Sequence, residues 1–409
     1  MPELKTPELK TMRTCTASIH GALANSRRRL LHRDAQTLDD QIAVARIPAP
    51  TGDEGERGEW VLRRFRDVAL AESHIDAAGN VIGRRPGDMR TARPIVVCAH
   101  LDTVFPRETP LDIRQHGPRL VGPGINDNGR GLAVMLALAA EIDGLHVRTG
   151  RPVEFVATTG EEGAGDLRGA KHYFETRGMD AAAAIAIDGA GDERVIHQAL
   201  GSRRFRATFS GPGGHSWAAF GAPNAVHSAA AAVTALAATR LPLMPRTTLT
   251  VGRIGGGLSV NSIPGNAWFE VDIRSVSAAT LDALTATAMR VIGEAAAAEN
   301  ARRAAGTDPL TVHVKRIGDR PCGETPAADA LVQAAARATE LIGKRPDLAL
   351  ASTDANVPIS RGIPAIAIGA GGRGGDAHTP TEWYENADGP AGVGRALTIV
   401  VAAAQLAAD

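Results

Sequence analysis

Short apolar runs alternate with longer stretches of helical character along much of the chain. The runs at residues 94–99, 153–158 and 181–187 have the length of buried strands, and the apolar stretch at 131–142 has the length of a helix. Another short run lies at 365–368. Strands that alternate with helices in this way predict an α/β fold built on a mixed, mostly parallel sheet.

The pattern changes near residue 200. Strands are predicted at 203–210, 247–254, 267–274 and 310–316, together with helices at 224–239 and 278–299. This order is typical of an α+β module inserted into the α/β fold. We therefore predict two domains: a catalytic domain in two segments, 38–200 and 317–409, and a smaller domain at 201–316.

The first 37 residues are polar and show no clear partner. They contain a repeat of Pro-Glu-Leu-Lys-Thr and the run Arg27-Arg28-Arg29. A repeat this short does not indicate a repeat fold. Residues 1–37 are therefore predicted to form a flexible N-terminal tail.

Composition excludes several classes of protein. Of 409 residues, 44% are hydrophobic and 22% are charged, which excludes intrinsic disorder. The 45 basic side chains balance the 45 acidic ones, so no overall positive field attracts nucleic acid or an anionic membrane. The apolar runs are shorter than the roughly 18 residues of a membrane span, and we find no signal peptide. Three cysteines fit a reducing compartment, and we expect a cytoplasmic protein.

Acidic residues and histidines follow the predicted strands. His100 and Asp102 come after the first strand, Glu161 and Glu162 after the second, and Asp188 after the third. Ligands of open α/β sheets bind at these strand ends. In an extended segment His100 and Asp102 share a face, so Asp102 can accept from one imidazole nitrogen while the other binds a metal.

Two further groups of polar residues extend this set. Asp127 lies in the glycine-rich turn at 122–129, and His378 lies in a C-terminal loop. Each group taken singly also fits a turn, a helix cap, a solvated loop or a surface position. Together, two histidines and three or four carboxylates form a ligand set for two divalent ions such as zinc, with one carboxylate bridging. One of the adjacent carboxylates Glu161 and Glu162 could then bind metal while the other acts as a general base.

The order of these motifs resembles metallopeptidase family 20, which includes carboxypeptidase G, peptidase T, aminoacylase, acetylornithine deacetylase and succinyl-diaminopimelate desuccinylase. The motifs are His-x-Asp, Gly-x-x-Asp-Asn, Gly-Glu-Glu-Gly, Asp-Gly and a C-terminal Ala-His-Thr-Pro, over about residues 38–405. The ending His-Thr-Pro-Thr-Glu-Trp is more similar to the peptidase T-like branch than to the deacetylases.

The resemblance implies a centre of two metal ions, with zinc expected and cobalt or manganese able to replace it. His100 and Asp188 would hold one metal, and Glu162 and His378 the other. Asp127 would bridge the two metals.

The resemblance also implies two roles for carboxylates that do not bind metal. Asp102 would orient His100. Glu161 would be the general base that deprotonates the metal-bridging water and later protonates the leaving amine.

The inserted domain occupies the family's place for a lid that also forms a homodimer. His215 matches a histidine that stabilises the oxyanion, often across the dimer interface, although a plain loop histidine remains open. Asn261 and Arg274 match positions that contact substrate, and a salt bridge on a strand face remains open for Arg274. The segment at 352–354 resembles a family segment near the site.

Hydrolysis of an amide bond is therefore the expected reaction, by an exopeptidase acting on small peptides. An N-acyl amino acid deacylase with the same metal site is the alternative. A catalytically silent binding protein is a more distant alternative, and it would have lost a ligand or Glu161, all of which are present.

Overall fold

The computed structural model describes residues 6–143 and 146–405. Its helices are α1 (Thr6–Ala22), α2 (Ala24–His32), α3 (Asp34–Ala45), α4 (Gly55–Asp67), α5 (Gly129–Glu141), α6 (Arg168–Glu175), α7 (Ala225–Ala237), α8 (Ala278–Ala301), α9 (Ala330–Leu341), α10 (Asn356–Ser360) and α11 (Gly389–Ala404). Among the described residues, no helix combines the length and the hydrophobicity of a membrane span.

The strands follow the same alternation along the chain. They are β1 (Ala71–Ile75), β2 (Val81–Arg85), β3 (Ile95–His100), β4 (Arg114–His116), β5 (Arg119–Val121), β6 (Val153–Thr158), β7 (Ala183–Ile187), β8 (Arg194–Ala199), β9 (Gly201–Ser210), β10 (Gly214–His215), β11 (Thr248–Gly256), β12 (Ser262–Ile263), β13 (Asn266–Ser275), β14 (Thr311–Arg320), β15 (Gly323–Glu324), β16 (Asp347–Ala351), β17 (Ala365–Ile368), β18 (Arg373–Gly375) and β19 (Trp383–Glu385).

The chain divides into two compact units. One contains the residues up to Ala199 and those from Glu324 onward, and the other contains Leu200–Gly323. The second unit ends later than the predicted 201–316 because β14 continues to Arg320, which pairs with Ser202 on β9. The added strand residues include Gly318, Asp319 and Arg320, which the hydrophobic pattern did not assign to a strand.

The first unit is built on a large mixed sheet with the order β1-β2-β6-β3-β7-β17-β8-β15. Its four central strands, β6, β3, β7 and β17, are parallel to one another. Each is a short run of apolar, mostly buried residues, as parallel strands covered on both faces require. The predicted α/β class and mostly parallel sheet are confirmed.

Helices cover both faces of this sheet. Along β3, Ile95, Val97 and Ala99 join the core that includes α5 and α11. Val96 and Cys98 point the other way, into a core that includes α6 and α10. Because the side chains of a strand alternate between faces, one apolar run serves both cores.

The second unit is a four-stranded antiparallel sheet with the order β11-β13-β9-β14. On β13, alternate residues from Ala267 to Ile273 are buried against α7 and α8. The antiparallel strands and the two helices form the α+β module that the order of elements in the sequence predicts.

Helices α1 and α2 and the start of α3 lie where a flexible tail was predicted for residues 1–37. Residues 1–5 of that tail lie outside the described residues. The core that includes α11 buries Ile19 of α1 and Leu30 of α2. It also buries Leu23, which lies between these two helices. The prediction was wrong for this segment. Only a few apolar residues form the buried face of these helices, and the many charged residues around them hide this pattern in the sequence.

An ion pair ties α2 to the end of α5. Nε and Nη2 of Arg29 donate to Oε1 of Glu141 at 2.9 and 2.5 Å. The Glu141 side chain is only 1% exposed, so Arg29 rather than water compensates its negative charge. Burying a carboxylate without such a partner is costly.

Replacing Arg29 tests this pairing. We expect Arg29→Met to lower the free energy of unfolding by about 1–3 kcal/mol, since Glu141 is left buried and unpaired. Urea unfolding measures the change. The double variant with Glu141→Gln should recover part of the loss, and equal stability of the single variant and the wild type would contradict the prediction.

The surroundings of His20 predict that the docking of α1 is sensitive to pH. Its Nδ1 lies 3.1 Å from the hydroxyl of Thr398 on α11. Burial, and then the charges of Arg27 and Arg337, lower the pKa of His20 below its ordinary 6.5. The unfolded chain therefore takes up a proton first, so stability present above pH 6.5 is lost as the pH falls below it.

Hydrogen exchange of the α1 amides at about pH 7.5 and about pH 5.5 measures this effect. We expect faster exchange at the lower pH, after correction for the intrinsic rate, and a smaller change in His20→Gln. An identical pH response in the two proteins would show that His20 is not responsible.

Candidate metal centre

The parallel strands deliver the predicted residues to one edge of the sheet. His100 is the last residue of β3, Glu161 and Glu162 follow β6, and Asp188 follows β7. His378 lies between β18 and β19, downstream of β17, with φ at +66°. A left-handed conformation is costly for a residue other than glycine, and such residues cluster at functional sites.

Asp127 lies between two histidines. Its Oδ1 is 3.0 Å from Nε2 of His100, which is also 3.7 Å from Oδ1 of Asp188. Its Oδ2 is 3.3 Å from Nε2 of His378, which is also 2.9 Å from Oε1 of Glu162. Each oxygen of Asp127 therefore faces one histidine that has a carboxylate partner of its own.

These side chains fit divalent cations. Ligand atoms of His100, Asp127 and Glu162 all lie within 4.8 Å of one another. Oδ1 of Asp127 is buried, and apart from Nε2 of His100 at 3.0 Å it has no hydrogen-bond partner among the described residues. A cation between the imidazole and the carboxylates satisfies such an oxygen, and nitrogen and oxygen donors of this kind suit zinc.

The electrostatics also favour a cation. Burial lowers the pKa of His100, but hydrogen-bonding contact with Asp102, Asp127 and Asp188 outweighs it and raises that pKa well above the usual value. Contact with Asp127, and the charge of Glu162, raise the pKa of His378 to about 9. The neighbouring carboxylates therefore favour the protonated form of both rings, and a metal ion that binds there would displace those protons.

Asp102 organises the centre from behind. The Nδ1–H of His100 donates to the backbone carbonyl of Asp102 at 3.0 Å, whereas Oδ1 of its carboxylate is farther from Nδ1, at 3.6 Å. The carboxylate instead accepts from the backbone N–H groups of Glu161 and Glu162 at 2.9 and 3.0 Å, and from the hydroxyl of Thr51 at 2.8 Å. Asp102 therefore fixes the turn that carries both glutamates and leaves Nε2 of His100 toward Asp127.

Two asparagines beside Asp127 join its loop to the loop of Asp188. Oδ1 of Asn126 accepts from the N–H of Ala190 at 2.7 Å, and Nδ2 of Asn128 donates to the carbonyl of Ile187 at 2.8 Å. In the sequence both asparagines stand within the predicted glycine-rich turn at 122–129. Their positions on either side of the candidate ligand Asp127 were the sequence signal that could have indicated this role.

Two buried acids near the centre were also missed or left without a role. Glu382 is fully buried and accepts from backbone N–H groups of the Asp127 loop, and burial raises its pKa to about 7. Asp354 accepts from the hydroxyl of Thr158 at the end of β6, and burial raises its pKa to about 6. Glu382 stood in the ending His-Thr-Pro-Thr-Glu-Trp, and Asp354 in the segment at 352–354.

The three residues predicted in the inserted domain all lie in the second compact unit. His215 is exposed on β10, and its Nδ1 accepts from the N–H of Trp217 at 3.2 Å. A neutral ring with that acceptor carries its proton on Nε2. Asn261 is exposed, and its Oδ1 accepts from the hydroxyl of Ser259.

Arg274 forms a salt bridge on a strand face, which is the alternative given for it above. Its Nε donates to Oδ2 of Asp272 at 2.7 Å. The other carboxylate oxygen lies 3.5 Å from Nε of Arg204. Arg274 therefore has a counter-charge of its own in this unit.

Comparison with known proteins identifies the family. The model of peptidase family M20/M25/M40 matches residues 96–401, and no curated protein matches the chain. The aminopeptidase PepT from Bacillus cereus is 22% identical, with a TM-score of 0.72 over 92% of this chain and 98% of that one.

Two other solved structures share the fold. An amidase of the hydantoinase/carbamoylase family from Burkholderia vietnamiensis is 20% identical, with a TM-score of 0.66 over 92% of this chain and 97% of that one. YxeP from Bacillus subtilis, described as a dinuclear metal-binding peptidase, is 14% identical, with a TM-score of 0.64 over 94% and 99%. The resemblance stated from the sequence is confirmed: the chain belongs to peptidase family M20/M25/M40, as a hydrolase of the peptidase or amidohydrolase type.

Proposed function

We propose that this protein is a two-metal exopeptidase that cleaves an amide bond of small peptides. The observation that carries the proposal is the position of Asp127, whose two oxygens face two separate pairs of a histidine and a carboxylate. The name of the similar PepT structure, an aminopeptidase, supports a peptide substrate.

Five side chains would hold the metals, which we propose to be zinc. His100 and Asp188 would hold one ion, Glu162 and His378 the other, and Asp127 both. When bound, the two cations polarise the scissile carbonyl and lower the pKa of water.

Glu161 would act as the general base. It would take a proton from the attacking water and return it to the leaving amine. The N–H of Glu161 donates to Asp102, which supports this role because it fixes the base next to the ligand Glu162. Asp102 thereby also couples the base to His100, whose ring it orients through its carbonyl.

Residues of the inserted unit would bind the substrate. His215 would donate from Nε2–H to the carbonyl oxygen as it gains charge, and the backbone donor on Nδ1 supports that protonation state. Asn261 and Arg274 would contact the rest of the substrate, Arg274 through the part of its guanidinium that Asp272 does not engage.

An N-acyl amino acid deacylase remains the second candidate. It would use the same metals and the same base, because both reactions hydrolyse an amide. The similar amidase structure from Burkholderia vietnamiensis favours this candidate.

A cytoplasmic homodimer completes the proposal. All three cysteines are free, which supports a reducing compartment. The inserted unit exposes Trp217, Phe220, Leu258 and Val260 almost fully, which supports an interaction surface there.

Replacing Glu161 tests the reaction. Purified protein with added zinc, cobalt or manganese is offered dipeptides, tripeptides and N-acyl amino acids. We expect turnover of free-amine peptides, reduced about 100-fold or more in Glu161→Gln because the base is lost while the ligands remain. Glu175→Gln, an exposed glutamate on α6, is the matched control.

The substrate panel separates the two candidates. Turnover of N-acylated substrates alone would support the deacylase. Full activity of Glu161→Gln would remove Glu161 from the mechanism.

Replacing Asp127 tests the metal centre. We expect the wild type to hold two metals per chain and Asp127→Ala to hold fewer than one, because both sites lose a ligand. Elemental analysis after dialysis gives the stoichiometry. Asp112→Asn, an exposed acid, should keep both metals, and two metals in Asp127→Ala would contradict the bridging role.

A further inference from the structure

The buried carboxylate of Glu382 accepts hydrogen bonds from three backbone N–H groups of the Asp127 loop. Oε1 of Glu382 accepts from Asp127 at 2.7 Å and from Asn126 at 2.8 Å. Oε2 accepts from Gly124 at 3.3 Å. The Glu382 side chain is fully buried, so these donors take the place of water around the carboxylate.

The backbone of Glu382 connects the same loop to the turn of His378. Its carbonyl accepts from the N–H of Gly122 at 2.8 Å, and its own N–H donates to the carbonyl of Thr379, the residue after His378, at 3.1 Å. The next residue, Trp383, pairs with Val121 across β19 and β5. Glu382 therefore connects the loop of one candidate ligand to the turn of another, 251 positions apart in the chain by residue number, from Asp127 to His378.

The loop needs an external acceptor because it is neither helix nor strand between β5 and α5. Backbone donors in such a segment must be paired when they are buried. Gly124 has φ at +68°, and a Cβ there would lie 2.9 Å from Cγ2 of Thr103, so the loop is closely packed as well. Fixing the N–H of Asp127 fixes the peptide plane from which its side chain leaves.

The position of this peptide plane determines where the carboxylate of Asp127 lies. Oδ1 and Oδ2 of Asp127 must face His100 and His378 at the same time, at 3.0 and 3.3 Å. A rotation of this peptide plane would shift both carboxylate oxygens relative to the two histidines. Groups that hold a metal ligand in place in this way set metal affinity.

We propose that Glu382 is a positioning residue of the metal centre, which holds the Asp127 loop against the turn of His378 so that one carboxylate can serve two cations. This role rests on the proposed two-metal function. Glu382 does not contact the metals or the substrate in this role. It acts through Asp127.

Metal titration of the apoprotein tests the role without relying on catalysis. Zinc is titrated into the wild type, Glu382→Gln and Glu382→Asp by calorimetry. We expect the affinity for the second metal to fall by about 10- to 100-fold in both variants. A glutamine offers one acceptor oxygen and turns an amide donor toward Gly124, and an aspartate is too short to reach the loop.

Glu141→Gln is the matched control. Glu141 is also a buried glutamate, at the opposite end of the helix that starts after the Asp127 loop, and its partner is Arg29. This variant should lose stability and keep both metal affinities. The absorption spectrum of the Co²⁺-loaded proteins gives a second readout, which should change in the Glu382 variants and stay the same in Glu141→Gln.

The outcomes separate this role from the proposed function. A wild type that binds no metal would overturn the proposed function. A wild type with two metals, and Glu382 variants with unchanged affinities, would overturn only the role of Glu382.

Hydrogen exchange covers the case in which the variants do not fold. In the wild type, the amides of Asn126 and Asp127 should exchange as slowly as those of the neighbouring helix α5. Exchange at the rate of an open loop would overturn the role of Glu382.

Discussion

Repulsion between buried carboxylates is the constraint on which the candidate metal centre depends. Asp102, Asp127, Glu162 and Glu382 converge at one edge of the sheet, where burial disfavours their ionised forms. Each of these carboxylates has hydrogen-bond donors within reach. Backbone N–H groups donate to Asp102 and Glu382, and histidines lie against Asp127 and Glu162. A buried guanidinium adds a positive charge, since Arg57 donates to the carbonyl of Leu101, between His100 and Asp102.

The order of the strands determines which acids meet. Since β6, β3, β7 and β17 are parallel, their carboxyl ends lie at the same edge, and residues far apart in sequence become neighbours. The strands alone place the loops only approximately. The side-chain amides of Asn126 and Asn128 and the carboxylate of Glu382 bond the loops to one another, which brings the ligand atoms within a few ångströms.

The predictable parts are those with a local signal. Buried runs such as Ile95–His100 and Val153–Thr158 gave the strands, and the acids at their ends gave the candidate ligands. The contacts of Glu382 with Asn126 and of Arg29 with Glu141 join residues 256 and 112 positions apart, so no local pattern contains them. The helical N-terminal segment was missed for the same reason: its apolar stripe is defined by helices from the other end of the chain.

The different roles proposed for Glu161 and Glu162 follow from the backbone between them. Both N–H groups donate to the carboxylate of Asp102, so the two residues are held as one turn. Glu162 is extended, with φ at −74° and ψ at 145°, and neighbouring side chains of an extended segment leave it in different directions. The carboxylate of Glu162 is directed to His378, and this contact supports the proposed role of Glu162 as a ligand. Glu161 starts from the same anchored turn, and a different side-chain direction would let it stay near the proposed cations without taking a ligand position, as its proposed role as base requires.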